Sequence, residues 1–238
     1  MIRNLVRLCA CALFAVAILP AEDDTTLLPT MDTRILFNAA ERSLNGGQAT
    51  RLQVNDIAGK EPEFGLLDFD RAAIKGFLKA RARAKVTARL MLSPRDTNPA
   101  TGKGRIEVFP LITGSEWIEG TGEHTEAKAG EPNALFAAAP DKKWLNAKDK
   151  PVDTFLEVIS AARDGAKTAM INSAAVEFSS QDVGRELSMV LDANLLNALA
   201  NHPNCRGLVL FTRTKDCRLA VYSREQTANR PKLVLSAK

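Results

Sequence analysis

Short segments in which apolar and polar residues alternate recur along most of the chain. In residues 86–92 the side chains of Val86, Ala88, Leu90 and Leu92 share one face of an extended strand, and Thr87 and Arg89 lie on the other. Segments rich in turn-forming residues, such as 55–63 and 93–104, are predicted loops. Strands are predicted at residues 51–54, 64–70, 86–92, 105–111, 154–160, 174–178, 187–191, 208–212, 219–223 and 233–235.

Helical patterns are few. Asp192 can cap the leucine- and alanine-rich segment 193–200, which Pro203 ends, and residues 72–82 form a second candidate helix. Because predicted strands greatly outnumber helices, the sequence predicts an all-β protein. The expected architecture is an antiparallel β-sandwich or jelly roll with one or two short helices.

The amino terminus has the pattern of a secretory signal peptide. Arg3 and Arg7 precede the apolar run 8–19, which is too short to span the ~30 Å core of a bilayer. A small residue, Ala21, closes the segment. We therefore expect a signal peptide at residues 1–21, a short linker at 22–32 and one domain at 33–238. The expected location is secreted or periplasmic, at the cell envelope; a lipoprotein, a short membrane anchor or a buried core helix is the alternative.

Signal removal changes the cysteine inventory. Of four cysteines, Cys9 and Cys11 belong to the predicted signal, and Cys205 and Cys217 remain. In an oxidising compartment these two are candidates for one disulfide across a predicted hairpin. The alternative is a pair of free thiols, because bridged Cα atoms must lie within about 7 Å of each other.

Seven segments occur in an order that resembles a known family. They are GLLDFD (65–70), KVTARLMLS (85–93), EVFPL (107–111), EWIEGTG (116–122), LDANLLNALA (191–200), RGLVLF (206–211) and YSREQTANRPKLVL (222–235). Together they resemble the DNRLRE domain, a disaggregatase-related β-sandwich counted among carbohydrate-binding modules, over about residues 33–238. The resemblance implies an exported, non-catalytic module that binds polysaccharide or acts at the cell surface.

Motifs of common enzymes are absent from the sequence. It contains no Gly-x-Ser-x-Gly, no phosphate-binding loop and no His-Glu-x-x-His. Ser115, Glu116 and His124 share a predicted loop by coincidence, since a triad needs a base that a third group orients, and Asp68 with Asp70 fits a solvated strand face better than a pair of catalysts. We therefore predict no catalytic residues.

Cations cluster from the end of the second candidate helix to the residue before the following strand. Lys79, Arg81, Arg83 and Lys85 occur with no acidic residue between them. In an extended backbone they share one face, and in a helix Lys79 and Arg83 still stack. This cationic strip suits a polyanion such as a uronate polysaccharide, with a merely solubilising face as the alternative. Nucleic acid is not expected, because the net charge is only +4 and export is predicted.

Aromatic residues, which often bind sugars by stacking, make up only 5% of the chain. Trp144 follows two lysines and is the candidate stacking platform, with burial in the core as the alternative. The scarcity of aromatics favours an acidic glycan over a neutral glucan.

Glutamates are concentrated in the predicted loop 113–133. They are Glu116, Glu119, Glu123, Glu126 and Glu131. Carboxylate oxygens on a flexible loop suit calcium, and an ordinary solvated loop is the alternative. Glu225 has two candidate ion-pair partners, Arg224 and Arg230.

The sequence thus predicts an exported polysaccharide-binding module with no membrane span after signal removal. A structural or adhesive component that binds protein at the cell envelope is the first alternative. A polysaccharide-degrading enzyme is the second, but the only tyrosine, Tyr222, lies in a predicted strand rather than a loop.

Overall fold

The computed structural model describes residues 23–57 and 62–238. Its strands are β1 (Asp23–Leu27), β2 (Pro29–Leu36), β3 (Leu44–Asn45), β4 (Arg51–Asp56), β5 (Glu63–Phe69), β6 (Val86–Leu92), β7 (Pro94–Pro99), β8 (Lys103–Ile112), β9 (Thr125–Glu126), β10 (Phe136–Ala138), β11 (Lys142–Lys143), β12 (Ala174–Ser179), β13 (Leu187–Leu191), β14 (Cys205–Thr212), β15 (Cys217–Tyr222) and β16 (Lys232–Ala237). Its helices are α1 (Arg71–Ala80), α2 (Phe155–Thr168) and α3 (Ala193–Asn201).

The larger of two main sheets is antiparallel and nearly closed. Its strands follow the order β12-β8-β14-β5-β4-β15-β7, and β2 also pairs with β5. The two end strands, β7 and β12, approach each other. Thr97 Oγ1 on β7 donates a hydrogen bond to the carbonyl of Ser179 at the end of β12 (3.4 Å).

The smaller sheet has the order β1-β16-β6-β13 and is also antiparallel. Leu90 on β6 pairs with Leu233 on β16 and Met189 on β13, and all three side chains are buried. One apolar core contains side chains from both main sheets and from all three helices. The predicted all-β, sandwich-like fold is confirmed.

Both predicted helices are present, and α3 begins directly after its predicted cap residue, Asp192. Asp192 accepts a hydrogen bond from Leu195 N (2.7 Å) at the start of α3, and Asp70 accepts one from Ala73 N (3.0 Å) in α1. None of the described helices is long and apolar enough to cross a membrane.

The strand predicted at residues 154–160 is wrong, because this segment begins helix α2. Its buried residues are Phe155, Val158, Ile159, Ala162 and Ala166, a spacing that places them on one helical stripe facing the core. The seven residues 154–160 are too few to distinguish the period of a helix from the period of a strand.

Two segments predicted to be irregular are strands. Residues 23–27, within the predicted linker, form β1, which pairs with the final strand from Asp23↔Ala237 to Leu27↔Leu233. Within the predicted loop 93–104, β7 pairs with β15. The predicted signal peptide, including Cys9 and Cys11, lies outside the described residues.

The predicted disulfide is absent, and Cys205 and Cys217 are free and buried. The prediction assumed that β14 and β15 form a hairpin. In the sheet, β5 and β4 lie between them, and the two cysteines stand at the starts of non-neighbouring strands. Burial raises the pKa of the Cys205 thiol to about 11.

Candidate functional site

A polar groove of about 910 Å³ lies on the face of the large sheet that is turned away from the core. Along β4, Leu52 and Val54 point into the core, whereas Gln53 and Asn55 line the groove. We call this cavity the arginine groove, because Arg34, Arg51 and Arg95 also line it.

The floor of the groove is a buried hydrogen-bonded set centred on Glu63. The Glu63 carboxylate accepts from Arg34 Nη2 (2.8 Å), Gln53 Nε2 (3.0 Å) and Asn55 Nδ2 (2.8 Å). Arg34 is only 6% exposed and Asn55 only 4%. Among residues 23–57 and 62–238, Arg34 Nε and Asn55 Oδ1 find no hydrogen-bond partner, so the floor retains hydrogen-bonding capacity.

The side chains around the groove carry charges of both signs. Arg51 and Arg95 are exposed; Arg95 Nη1 donates to Thr50 Oγ1 (3.0 Å), and its guanidinium lies 6.0 Å from the centre of the Tyr222 ring. Glu41 and Glu123 also line the groove, and His124 Nε2 lies 2.9 Å from Glu41 Oε1. The groove therefore offers two open guanidinium groups among neutral and acidic hydrogen-bonding groups.

Loops 37–50 and 113–124 are held together beside the groove by Asn45, which is fully buried. Its Oδ1 accepts from Gly47 N (3.0 Å) and Gly122 N (3.0 Å), and its Nδ2 donates to the Pro132 carbonyl (3.0 Å). At Gly47, a Cβ atom would lie 1.9 Å from the Glu119 carbonyl oxygen, so this contact requires glycine.

Next to the groove, three carboxylates meet around one arginine, and we call this set the acidic cluster. Asp32, on the same face of β2 as Arg34, approaches Glu119 and Glu225, and one oxygen from each lies within 4.8 Å of the others. Arg224 N donates to Asp32 Oδ2 (2.7 Å), and Asp32 N donates to Glu119 Oε1 (2.9 Å). The Arg224 guanidinium pairs with Glu119.

Burial dominates the titration of this cluster. It raises the pKa of Asp32 to about 8; the Arg224 backbone N–H opposes this, and the charges of Glu119 and Glu225 add to it. Burial also raises the pKa of Glu119, against its hydrogen bonds from Asp32 N and Arg224. Of the two predicted partners of Glu225, Arg224 is the nearer one. Glu225 Oε1 lies 4.0 Å from Arg224 Nε.

The predicted cationic strip lies outside the arginine groove. Helix α1 ends at Ala80 and residues 81–84 form a turn, so the strip is neither a continuous strand nor a continuous helix. Lys79, Arg83 and Lys85 are exposed, and Arg81 lies over the Phe77 ring at 5.7 Å.

Trp144 is not a stacking platform. It is completely buried, its Nε1 donates to the Asn133 carbonyl (2.8 Å), and its ring centre lies 4.7 Å from that of Phe155. The expectation of an exposed ring is therefore wrong, because the indole forms part of the core beside α2.

The glutamates of loop 113–133 do not converge on one point. Glu131 accepts from Thr121 N (2.7 Å), Thr121 Oγ1 (2.7 Å) and Lys128 N (2.9 Å). Burial would raise its pKa, but these hydrogen bonds outweigh burial and lower it. Glu116 pairs with Arg206 (3.2 Å), and only Glu119 joins other carboxylates.

Ser115 and His124 do not contact each other as the members of a serine triad would; each has a different partner. Ser115 Oγ accepts from Leu145 N (2.7 Å), while His124 pairs with Glu41. Asp70 caps α1, and Asp68 lies 3.8 Å from Arg71.

Sequence reasoning missed the arginine groove because its arginines are scattered. Arg34, Arg51 and Arg95 come from three separate strands and form no run. The available signal was the alternation of Gln53 and Asn55 with apolar residues, which predicts a polar face on that strand but not what surrounds it.

Comparison with known proteins identifies no relative: no protein-family model matches this chain, and no curated protein matches it.

Proposed function

We propose that this protein is an exported, non-catalytic module that binds a carboxylate-bearing polysaccharide in the arginine groove. The observation on which the proposal depends is the pair of exposed guanidinium groups, Arg51 and Arg95, beside a floor of buried amides. The sequence resemblance to DNRLRE modules and the signal-like amino terminus support the same function.

The chemistry of the groove suits an acidic sugar chain. A guanidinium forms paired, charge-assisted hydrogen bonds with a carboxylate, so Arg51 and Arg95 are suited to bind uronate groups. Gln53, Asn55 and the unpaired lone pairs of the carboxylates suit sugar hydroxyls, which both donate and accept hydrogen bonds. Glu41 and Glu123 repel a carboxylate placed beside them, so bound uronate groups are expected to lie against Arg51 and Arg95.

This proposal places the principal site in the groove rather than on the cationic strip. The strip projects from a turn and lines no part of the groove. A groove contacts a ligand on several sides, whereas exposed lysines usually contribute solubility.

The test is affinity electrophoresis of the purified protein through gels containing alginate, pectin, xylan or β-glucan. We expect salt-sensitive retardation in alginate or pectin. The double variant Arg51→Ala/Arg95→Ala is expected to weaken binding at least about tenfold, because each charge-assisted hydrogen bond contributes about 1.5–3 kcal/mol.

The matched control is Lys79→Ala/Arg83→Ala, which removes the same charge from the strip and is expected to retain binding. If this control loses polysaccharide binding while the groove variant keeps it, the cationic strip is the binding site and the arginine groove is not. Unretarded migration of the unaltered protein in every gel would contradict polysaccharide binding and favour the protein-binding alternative.

A further inference from the structure

We propose that Asp32, Glu119 and Glu225 form a calcium-binding site, in which the guanidinium of Arg224 replaces the ion when calcium is absent. The three carboxylates come from β2, from the loop after β8 and from the segment after β15, so folding alone brings them together. This inference does not depend on polysaccharide binding.

Asp32 provides the observation that points to a ligand. Its side chain is 0% exposed, and its Oδ1 has no hydrogen-bond partner within the part of the chain that the structure describes. A buried carboxylate oxygen without a partner is costly, since removal from water is not repaid by any contact. A carboxylate oxygen of Asp32 lies within 4.8 Å of oxygens from both Glu119 and Glu225.

The geometry and ligand type suit calcium. Calcium binds oxygen ligands at about 2.3–2.6 Å, so opposite oxygens in its shell are separated by about 4.6–5.2 Å. The three carboxylate oxygens, all within 4.8 Å of one another, fit inside such a shell. Magnesium requires a smaller octahedron with ligands at about 2.0–2.1 Å and keeps more of its water.

Arg224 supplies a positive charge beside the clustered acids in the ion-free protein. Its guanidinium pairs with Glu119, and its Nε lies 4.0 Å from Glu225 Oε1. The Arg224 side chain is 34% exposed, so it can turn into solvent while its backbone N–H stays bonded to Asp32 Oδ2. Calcium and the guanidinium therefore compete for the same carboxylates.

The competition predicts opposite effects for two substitutions, measured by calorimetric titration of calcium into the purified, EDTA-treated and dialysed protein. Asp32→Asn keeps the shape of the side chain but removes a charged ligand, so the calcium affinity is expected to fall at least about tenfold. Arg224→Ala removes the competing cation, so the affinity is expected to rise at least about threefold.

The matched control is Asp153→Asn, because Asp153 is exposed, pairs with Lys143 and lies outside the cluster. This variant is expected to bind calcium like the unaltered protein. A second readout is the thermal midpoint of unfolding, measured once in about 10 mM CaCl₂ and once in EDTA. This calcium concentration is well above the Kd of about 10⁻⁴–10⁻³ M that is typical of extracellular calcium modules.

The proposal is overturned if neither the unaltered protein nor Arg224→Ala shows calcium heat or a calcium-dependent thermal shift. An equal response to magnesium, or equal loss of binding in Asp153→Asn, would also overturn it. Because no glycan is present in this titration, its failure leaves the groove proposal untouched, and failure in the polysaccharide gels leaves the calcium site untouched.

Discussion

Asp32 is the residue whose environment differs most from that of a carboxylate in water. It is completely buried on β2, and Glu119, Glu225 and Arg224 are the charged groups around it. Desolvation disfavours the ionised form, and the two neighbouring acids add to this effect against the hydrogen bond from Arg224 N. In the ion-free protein, Asp32 therefore makes stability depend on pH.

The pKa of Asp32 is about 8 in the folded chain, against an ordinary value of 3.8. The folded state therefore binds more protons between these values, and the Asp32 contribution to the free energy of unfolding falls as the pH rises from about 4 to about 8. Above this range the contribution is constant.

The prediction is tested by urea denaturation in EDTA across this pH range. Asp32→Asn mimics the protonated acid, so the variant is expected to lose stability less steeply with rising pH than the unaltered protein. Parallel curves for the two proteins would show that Asp32 does not titrate in this range.

At the scale of elements, the groove depends on the loops 37–50 and 113–124. The short strand β3, within the first loop, pairs with β9, just after the second loop. β3 pairs with β9 through Leu44↔Glu126 and Asn45↔Thr125, and Gly47 then lies against the backbone of Glu119. The regular strands of the large sheet thus present the groove floor, and loop-to-loop contacts place Glu119 beside β2.

We expect Gly47→Ala to lower the free energy of unfolding by about 1–3 kcal/mol, because its Cβ would overlap the Glu119 carbonyl. The matched control is Gly76→Ala within α1, where a Cβ meets nothing within 4 Å. That change is expected to stabilise the protein by about 0.5–1 kcal/mol through helix propensity. Chemical denaturation of both variants provides the comparison, and a neutral Gly47→Ala would contradict the close contact.

At the scale of the whole molecule, the order of strands decides the state of the cysteines. Cys205 begins β14 and Cys217 begins β15, and two other strands separate these in the sheet. Burial raises the pKa of both thiols, so neither is a reactive thiolate near neutral pH.

We expect Cys205 and Cys217 to resist alkylation in the native protein and to be alkylated in denaturant without prior reduction. Peptide mass mapping measures both states. Labelling that requires a reductant would show that the two cysteines are disulfide-bonded and would contradict this strand order. A thermal midpoint that is unchanged by reductant is the accompanying expectation.

Much of the fold could be predicted from local patterns. The bounds of β6 and β13, and the capped start of α3, follow from side-chain period and cap chemistry, which act over a few residues. Helix α2 was misread because its first residues, taken alone, are compatible with a strand. β1 was missed because its polar, threonine-rich sequence becomes a strand only by pairing with β16.

The candidate sites were much less predictable. The polar face of β4 was visible in the alternation of its residues, but Arg34 and Arg95 join it only through the order of strands. Trp144 was misjudged as a sugar platform because the flanking lysines are exposed while the indole turns into the core.

By itself, the sequence determined the all-β class, most individual strands and the cap of α3, because these depend on the period and chemistry of neighbouring residues. Only the tertiary structure decided which strands are neighbours, which cysteines stay apart and where charges meet. Asp32 and Arg224 are 192 positions apart and share a hydrogen bond of 2.7 Å. Contacts over such separations depend on strand order and burial across the whole chain, and no local pattern encodes them.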